Sequence, residues 1–329
     1  MKRILFIGLT ILFSLCVLAA CGNDGEGASS TENEDAENQE ETNEDTEVQE
    51  ENDGEELEEL KVQFVPSQNA DTLEAKAKPL EDLLSNELGI PVTVSVSTDY
   101  NTIVEAMKSD QVDVGFLPPT AYVLAHEQVA ADVILQAQRF GVHDDGSATE
   151  ELVDSYKSIF IVKADSDINS IEDLKGKKIG YQNVTSSAGF VWPAATLMEA
   201  GIHPLNDVES VTLKGHDQAV IALLNGDIDA AVTFQDARNV VVSDYENVFE
   251  DTKILEFTED IPNDTIAVRP AISDEMKEAI TQAFIAIGQD EEGQEIIRDI
   301  YSHEGYVESQ DSNFDIVREY EEKVSNEVQ

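Results

Sequence analysis

From Leu60 the chain alternates apolar and polar side chains as far as Val65, the two-residue period of a half-buried strand, and Pro66-Ser67 breaks it. Leu73, Ala77, Leu80, Leu84 and Leu88 then recur at three- and four-residue spacing, with Leu83 beside them. That stripe predicts a helix over 70–88, stopped by Gly89. Apolar runs predict strands over 92–96, 112–116 and 133–137, separated by helices over 102–108 and 121–127, the second opened by the Pro118-Pro119 turn. Strand–helix alternation of this kind predicts a mainly parallel sheet with helices on both faces. Ligands in such sheets collect beyond the carboxyl ends of the strands, which singles out the loops after Val65, Val96, Phe116 and Ala137.

The same alternation then runs a second time. A strand over 158–163 leads to a short helix at 171–174, a glycine turn at Gly176 and a strand ending at Gly180. A helix over 189–201, a strand over 208–214, a helix over 218–225, a strand over 228–234 and a helix over 237–244 follow. Strands over 254–257 and 265–268 lead back, and helices over 274–288, 291–302 and 311–328 complete the chain. The fold class expected is α/β in two lobes. Lobe 1 is discontinuous, 60–160 plus 262–329, and lobe 2, 161–261, is inserted into it. Two crossing strands between such lobes make a hinge.

The first residues change the picture of where this domain works. Met1-Lys2-Arg3 precedes an apolar run over 4–20 that ends Leu18-Ala19-Ala20-Cys21-Gly22. Two cations, an apolar core and small residues before a cysteine predict a lipoprotein signal peptide over 1–20, with Cys21 as the lipidated first residue. A retained membrane span is the alternative, the run being near the minimum length for one. Cys21 stands where cleavage would leave it first, which favours the lipoprotein, and a diacyl group plus an N-acyl chain such as palmitate anchors firmly because it is more than one chain. The expected location is the extracytoplasmic face of the cell membrane. The chain has two cysteines, Cys16 and Cys21, so signal removal and lipidation leave no thiol for a disulfide or a metal.

Residues 21–59 form the predicted tether. From Asn23 to Glu59 the sequence contains no Lys or Arg and almost no large apolar residue, too little to offset the entropy of ordering. The net charge of the whole chain is −49, which excludes nucleic acid as a partner and suits a salty or alkaline exterior.

Candidate chemistry centres on Asn183-Val184-Thr185-Ser186-Ser187-Ala188-Gly189-Phe190, between a strand and a helix. Three hydroxyls at a helix start, where backbone N–H groups lack partners, favour an oxyanion. An ordinary N-cap would need one of them. No Gly-rich Lys-Ser/Thr loop and no Gly-x-Ser-x-Gly elbow occurs, and His126, His143, His203, His216 and His303 are scattered without metal spacing. His216-Asp217 stands apart, following a strand end at the expected cleft mouth. Arg139 and Arg238 could also reach it.

Thr98-Asp99-Tyr100, Val104-Glu105-Ala106-Met107, Val112-Asp113-Val114-Gly115-Phe116-Leu117-Pro118-Pro119, the Thr185-to-Phe190 segment, Gly215-His216-Asp217-Gln218-Ala219-Val220 and Gly226-Asp227-Ile228-Asp229-Ala230-Ala231 together resemble one family. It is that of the periplasmic binding proteins of phosphonate, phosphite and phosphate ABC importers. The resemblance runs from about Leu60 to about Gly305 and implies a type II periplasmic-binding-protein fold with a ligand cleft, no catalysis and no cofactor. It implies a phosphorus oxyanion as ligand, membrane permease subunits as partners and a monomer as the default state. Carried over by position, its ligand-binding residues are Tyr100, the Pro119-Thr120 turn, Tyr156, Thr185, Ser186 and Ser187, with His216, Asp217 and Asp236 facing the ligand's substituent. The family's frequent Ser-Thr-Ser before glycine is departed from here, where Ala188 precedes Gly189. A ligand-presenting sensor of the same fold, or a binder of another solute such as a sulfonate, is the alternative.

Overall fold

The computed structural model describes residues 57–143 and 147–328. The signal peptide, Cys21 and the tether up to residue 56 lie outside the described residues. No helix among the described residues is long and apolar enough to cross a membrane.

The first half of the chain gives β1 (Leu60–Phe64), α1 (Ala70–Ala77), α2 (Leu80–Leu88), β2 (Val92–Val96), α3 (Tyr100–Lys108), β3 (Val114–Leu117), α4 (Pro119–Glu127), β4 (Asp132–Val142), β5 (Ala148–Val153) and β6 (Ser155–Lys163). After a 3₁₀ turn at Ile171–Leu174 come β7 (Lys178–Tyr181), a π-helical turn at Ser187–Val191, α5 (Trp192–Glu199), β8 (Glu209–Thr212), α6 (His216–Asn225), β9 (Ala230–Phe234), α7 (Arg238–Val241) and α8 (Val248–Asp251). The chain then forms β10 (Thr252–Pro262), β11 (Thr265–Val268), α9 (Asp274–Gln289), α10 (Glu291–Tyr301), β12 (Gly305–Glu308), a 3₁₀ turn at Asp311–Phe314 and α11 (Asp315–Val328). The expected single helix over 70–88 is broken at Lys78-Pro79 because proline has no N–H to donate and crowds the preceding turn.

These strands form a seven-stranded sheet of order β12-β4-β11-β3-β1-β2, with β5 on β4, and a five-stranded sheet of order β10-β6-β9-β7-β8. Each contains a parallel trio with its first strand in the middle, β2-β1-β3 and β8-β7-β9. Beside each trio lies an antiparallel strand, β11 against β3 and β6 against β9. The sheets are therefore mixed rather than mainly parallel.

Both faces of the first sheet are covered. Leu73, Leu80, Leu84, Phe284 and Ile297 pack on one, and Ile103, Met107 and Tyr122 on the other. The second core is continuous with Phe160 and Val232 of the other sheet and with Phe190 and Trp192 of the helical segment after β7.

The chain passes between the sheets twice, from β5 into β6 and from β10 into β11. β6 and β10 pair along their whole length, Thr252 opposite Lys163 and Pro262 opposite Ser155. At their ends Asn263 N–H donates to the Asp154 carbonyl at 2.8 Å, and the Gln136 amide donates to the same oxygen at 2.8 Å. A third link is α11. Its Tyr320 stacks on Trp192 of α5 at 4.4 Å, while Phe314, just before it, meets Tyr122 of α4 edge-on at 4.9 Å. Phe314→Ala should lower stability by about 3–5 kcal/mol, read as a lower midpoint in urea unfolding.

Candidate ligand-binding site

A cavity of about 40 Å³ lies between the sheets, lined by Val65, Ser67, Tyr100, Pro118, Arg139, Tyr156, Ser186, Ala188, His216, Phe234, Asp264 and Tyr301. Most of these residues stand at or just beyond the carboxyl ends of β1, β2, β3, β7, β8 and β9, where both parallel trios open toward each other.

Local chemistry explains how each side chain gets there. Asp99 caps α3, accepting from the N–H groups of Asn101 and Thr102 at 2.8 and 2.9 Å, and this sets Tyr100 at the first helical position, facing Ser186. Ser186 caps the helix after β7, accepting from Gly189 N–H at 3.1 Å. The turn that follows is π-helical, a wide geometry frequent at functional sites. Gly189 is required there, since a Cβ would fall 2.1 Å from Gln182 Oε1 and 2.7 Å from Ser186 Oγ. Gly215, at φ +104°, lies so close to Gln68 that a Cβ would approach its backbone to 3.2 Å. That approach lets His216 N–H donate to the Ser67 carbonyl at 2.8 Å.

The predicted residues divide into two groups. Tyr100, Tyr156, Ser186 and His216 line the cavity. Ser187 and Thr120 sit at the same seam behind the lining: Ser187 Oγ accepts from Thr120 N–H at 3.0 Å and bonds the Thr120 hydroxyl at 2.9 Å, and Ser187 also pairs with the cavity-lining Tyr156. Thr185 does not reach the cavity, because its N–H and hydroxyl both turn back to Asn183 Oδ1. Pro119 is buried within α4, and Pro118 takes the lining position instead. Asp217 lies outside, accepting from Asn69 N–H at 3.3 Å and from the Gln218 amide at 3.1 Å. Asp236 also lies outside the cavity lining, held by the Arg139 guanidinium from the opposite sheet.

Ser67, Asp264 and Tyr301 were missed from the sequence. Ser67 was in view as a strand end, and Asp264 sits in the short crossing between β10 and β11, where a carboxylate between two strands is a usable signal. Tyr301 ends α10 and donates to the Val65 carbonyl at 2.7 Å; nothing in the sequence marks it.

The cavity electrostatics follow from burial. His216 is pushed down to about 3 by desolvation, so it is neutral near pH 7, with Nδ1 2.9 Å from the Thr233 hydroxyl. Desolvation raises Tyr100, Tyr156 and Tyr301, which remain protonated hydroxyl donors. Arg139 packs over the Tyr156 ring at 5.5 Å and the Phe234 ring at 6.0 Å. Neutral donors thus dominate, with one guanidinium whose charge Asp236 largely balances.

Two α/β sheets joined by two crossings, with a polar cavity at their facing strand ends, define a type II periplasmic binding protein. The family model of the periplasmic phosphonate substrate-binding proteins of ABC transporters matches residues 62–314, and the chain belongs to that family. It is 31% identical over 185 residues to the phosphate-import protein PhnD of Mycolicibacterium smegmatis, a match covering 54% of this chain and 55% of that one, so it spans about half of this relative's length. Among solved structures it is similar to the binding protein component of a Pseudomonas aeruginosa ABC phosphonate transporter, with TM-score 0.71, 20% identity and coverage of 81% of this chain and 86% of that one. It is also similar to PhnD1 of Prochlorococcus marinus in complex with methylphosphonate, with TM-score 0.70, 16% identity and coverage of 82% and 98%.

Arg139→Met should destabilise the protein by about 3–5 kcal/mol, because it strands a largely buried Asp236. The double variant Arg139→Met/Asp236→Leu should recover most of that loss in urea unfolding.

Proposed function

We propose that the chain is an extracytoplasmic solute-binding lipoprotein that captures a phosphonate-, phosphite- or phosphate-type oxyanion for an ABC importer. The observation that carries this reading is the set of protonated hydroxyls, Ser186, Tyr100 and Tyr156, around one small cavity between two hinged halves. Hydroxyl donors suit phosphoryl oxygens without adding charge. At about 10–15 Å³ per water-sized occupant, a cavity of about 40 Å³ fits a tetrahedral anion bearing one small substituent. Family membership supports the same ligand class.

The role is capture without turnover. His216 is held neutral by burial, with its Nδ1 2.9 Å from the Thr233 hydroxyl. Residues 60–160 with 262–329 act as one lobe and 161–261 as the other, and their closure presents a surface to the permease. Lipidated Cys21 and the acidic tether hold this domain, as a monomer, outside the membrane.

Calorimetry should show nanomolar to micromolar binding of methylphosphonate, phosphite or phosphate. Ser186→Ala should weaken it about 10- to 100-fold, the worth of one hydrogen bond to a charged group; unchanged binding in a folded Ser186→Ala variant would refute the site. The wild type should incorporate labelled palmitate and Cys21→Ser should not, and a wild type that takes up no palmitate would mean that the apolar run is a retained span.

A further inference from the structure

Arg139 belongs to two spaces at once. It lines the ligand cavity, and it lines a second space of about 290 Å³ whose other walls include Ala148 of β5, Asp236 and Asn239 after β9, and Glu304 after α10. Among the described residues it is the one common to both linings. Its backbone is fixed in β4, opposite Val153 of β5. Its guanidinium lies 5.5 Å from the centre of the Tyr156 ring and 6.0 Å from that of Phe234, both walls of the cavity. The end of the same guanidinium donates to Asp236, a wall of the second space. The Arg139 side chain is 5% exposed and that of Asp236 12%. A planar cation packed on two rings and bonded to a carboxylate thus forms the partition between the cavity and the space behind it.

The other charges of that second space are matched already, since Arg298 donates two hydrogen bonds to the Glu304 carboxylate. Asp236 is the carboxylate that Arg139 answers. A ligand arm too long for the cavity of about 40 Å³ must push the guanidinium aside. That breaks its bond to Asp236 and strands a largely buried charge, which is strongly unfavourable. We propose that Arg139 sets the length of the substituent the site accepts: bolted to Asp236, it ends the cavity after a methyl-sized group and closes off the space behind. This rests on the functional reading above and deepens it. The ligand class selected is phosphate, phosphite and the shortest phosphonates. Removing the guanidinium joins the two spaces, and Asp236 is then free to take a cation carried by the ligand itself.

The test is calorimetry on the full-length chain in detergent near neutral pH, with methylphosphonate, propylphosphonate and 2-aminoethylphosphonate, the last two alike in length. Wild-type protein should bind propylphosphonate at least about 100-fold more weakly than methylphosphonate, which corresponds to about 2.8 kcal/mol. In Arg139→Ala that penalty should shrink at least about tenfold, and 2-aminoethylphosphonate should gain at least about tenfold on propylphosphonate relative to the wild type, because its ammonium replaces the guanidinium on Asp236. Asp264 lines the cavity in either protein, so its own pull on an ammonium cancels from this comparison. In Arg139→Ala/Asp236→Asn the room remains and the carboxylate is gone, so the gain for propylphosphonate should persist and the advantage of the ammonium should vanish. Equal binding of methylphosphonate and propylphosphonate by the wild type, or a folded Arg139→Ala variant with wild-type ratios, would overturn the proposal. Where Arg139→Ala does not fold, the double variant, which strands no charge, carries the propylphosphonate test. Failure of the wild type to bind methylphosphonate, phosphite and phosphate alike sinks the functional reading together with this role, whereas equal binding of the short and long phosphonates sinks the role alone.

Discussion

Ser187 and Thr120 come from the helical segments that follow β7 and β3, are almost fully buried, and hydrogen-bond to each other. The organisation of the site depends on that constraint: polar groups at the seam have little access to water, so each must be answered from across it. His216 N–H finds the Ser67 carbonyl, Asn69 N–H finds Asp217, and Arg139 finds Asp236. Ser186, Tyr100, Tyr156 and Asp264 surround the cavity beside these pairs. In this arrangement the contacts that bring the halves together also define the space between them.

A protein carrying 69 acidic and 20 basic residues is an unlikely vessel for an anion if only net charge is counted. The cavity works on a shorter scale. Charges beyond about 8 Å are screened at physiological salt, whereas hydroxyls in contact with a ligand are not. Keeping His216 neutral and pairing Arg139 with Asp236 leaves the local balance to hydroxyl donors and one carboxylate.

Much of this was legible in the sequence because strand and helix periods are local. The parallel trios, the two crossings and the glycine stops follow from short windows, and the loops after Val65, Val96 and Phe116 form part of the cavity wall, whereas Ala137 lies inside β4 with no loop after it. What escaped depends on pairing. β5 is a largely exposed polar strand ordered by its pairing with β4, and β12 is a four-residue strand ordered by the same partner. Thr185 and Asp236 carry the right chemistry at the right positions, yet Asn183 and Arg139 take them up. Spacing reveals which side chains are near a site; it does not reveal which of them already have a partner.

The last helix, α11, stacks through Tyr320 on Trp192 of α5, and its leading turn places Phe314 against Tyr122 of α4. Lys323 reaches Glu199, and His203 bonds the Glu327 carbonyl, both on the α5 side. A pair of halves tied by strands alone would swing freely; these are also strapped along the flank. Any widening of the gap must therefore peel one end of this helix from its bed or bend it, which makes the resting gape a property of the chain's final residues as much as of the crossing strands.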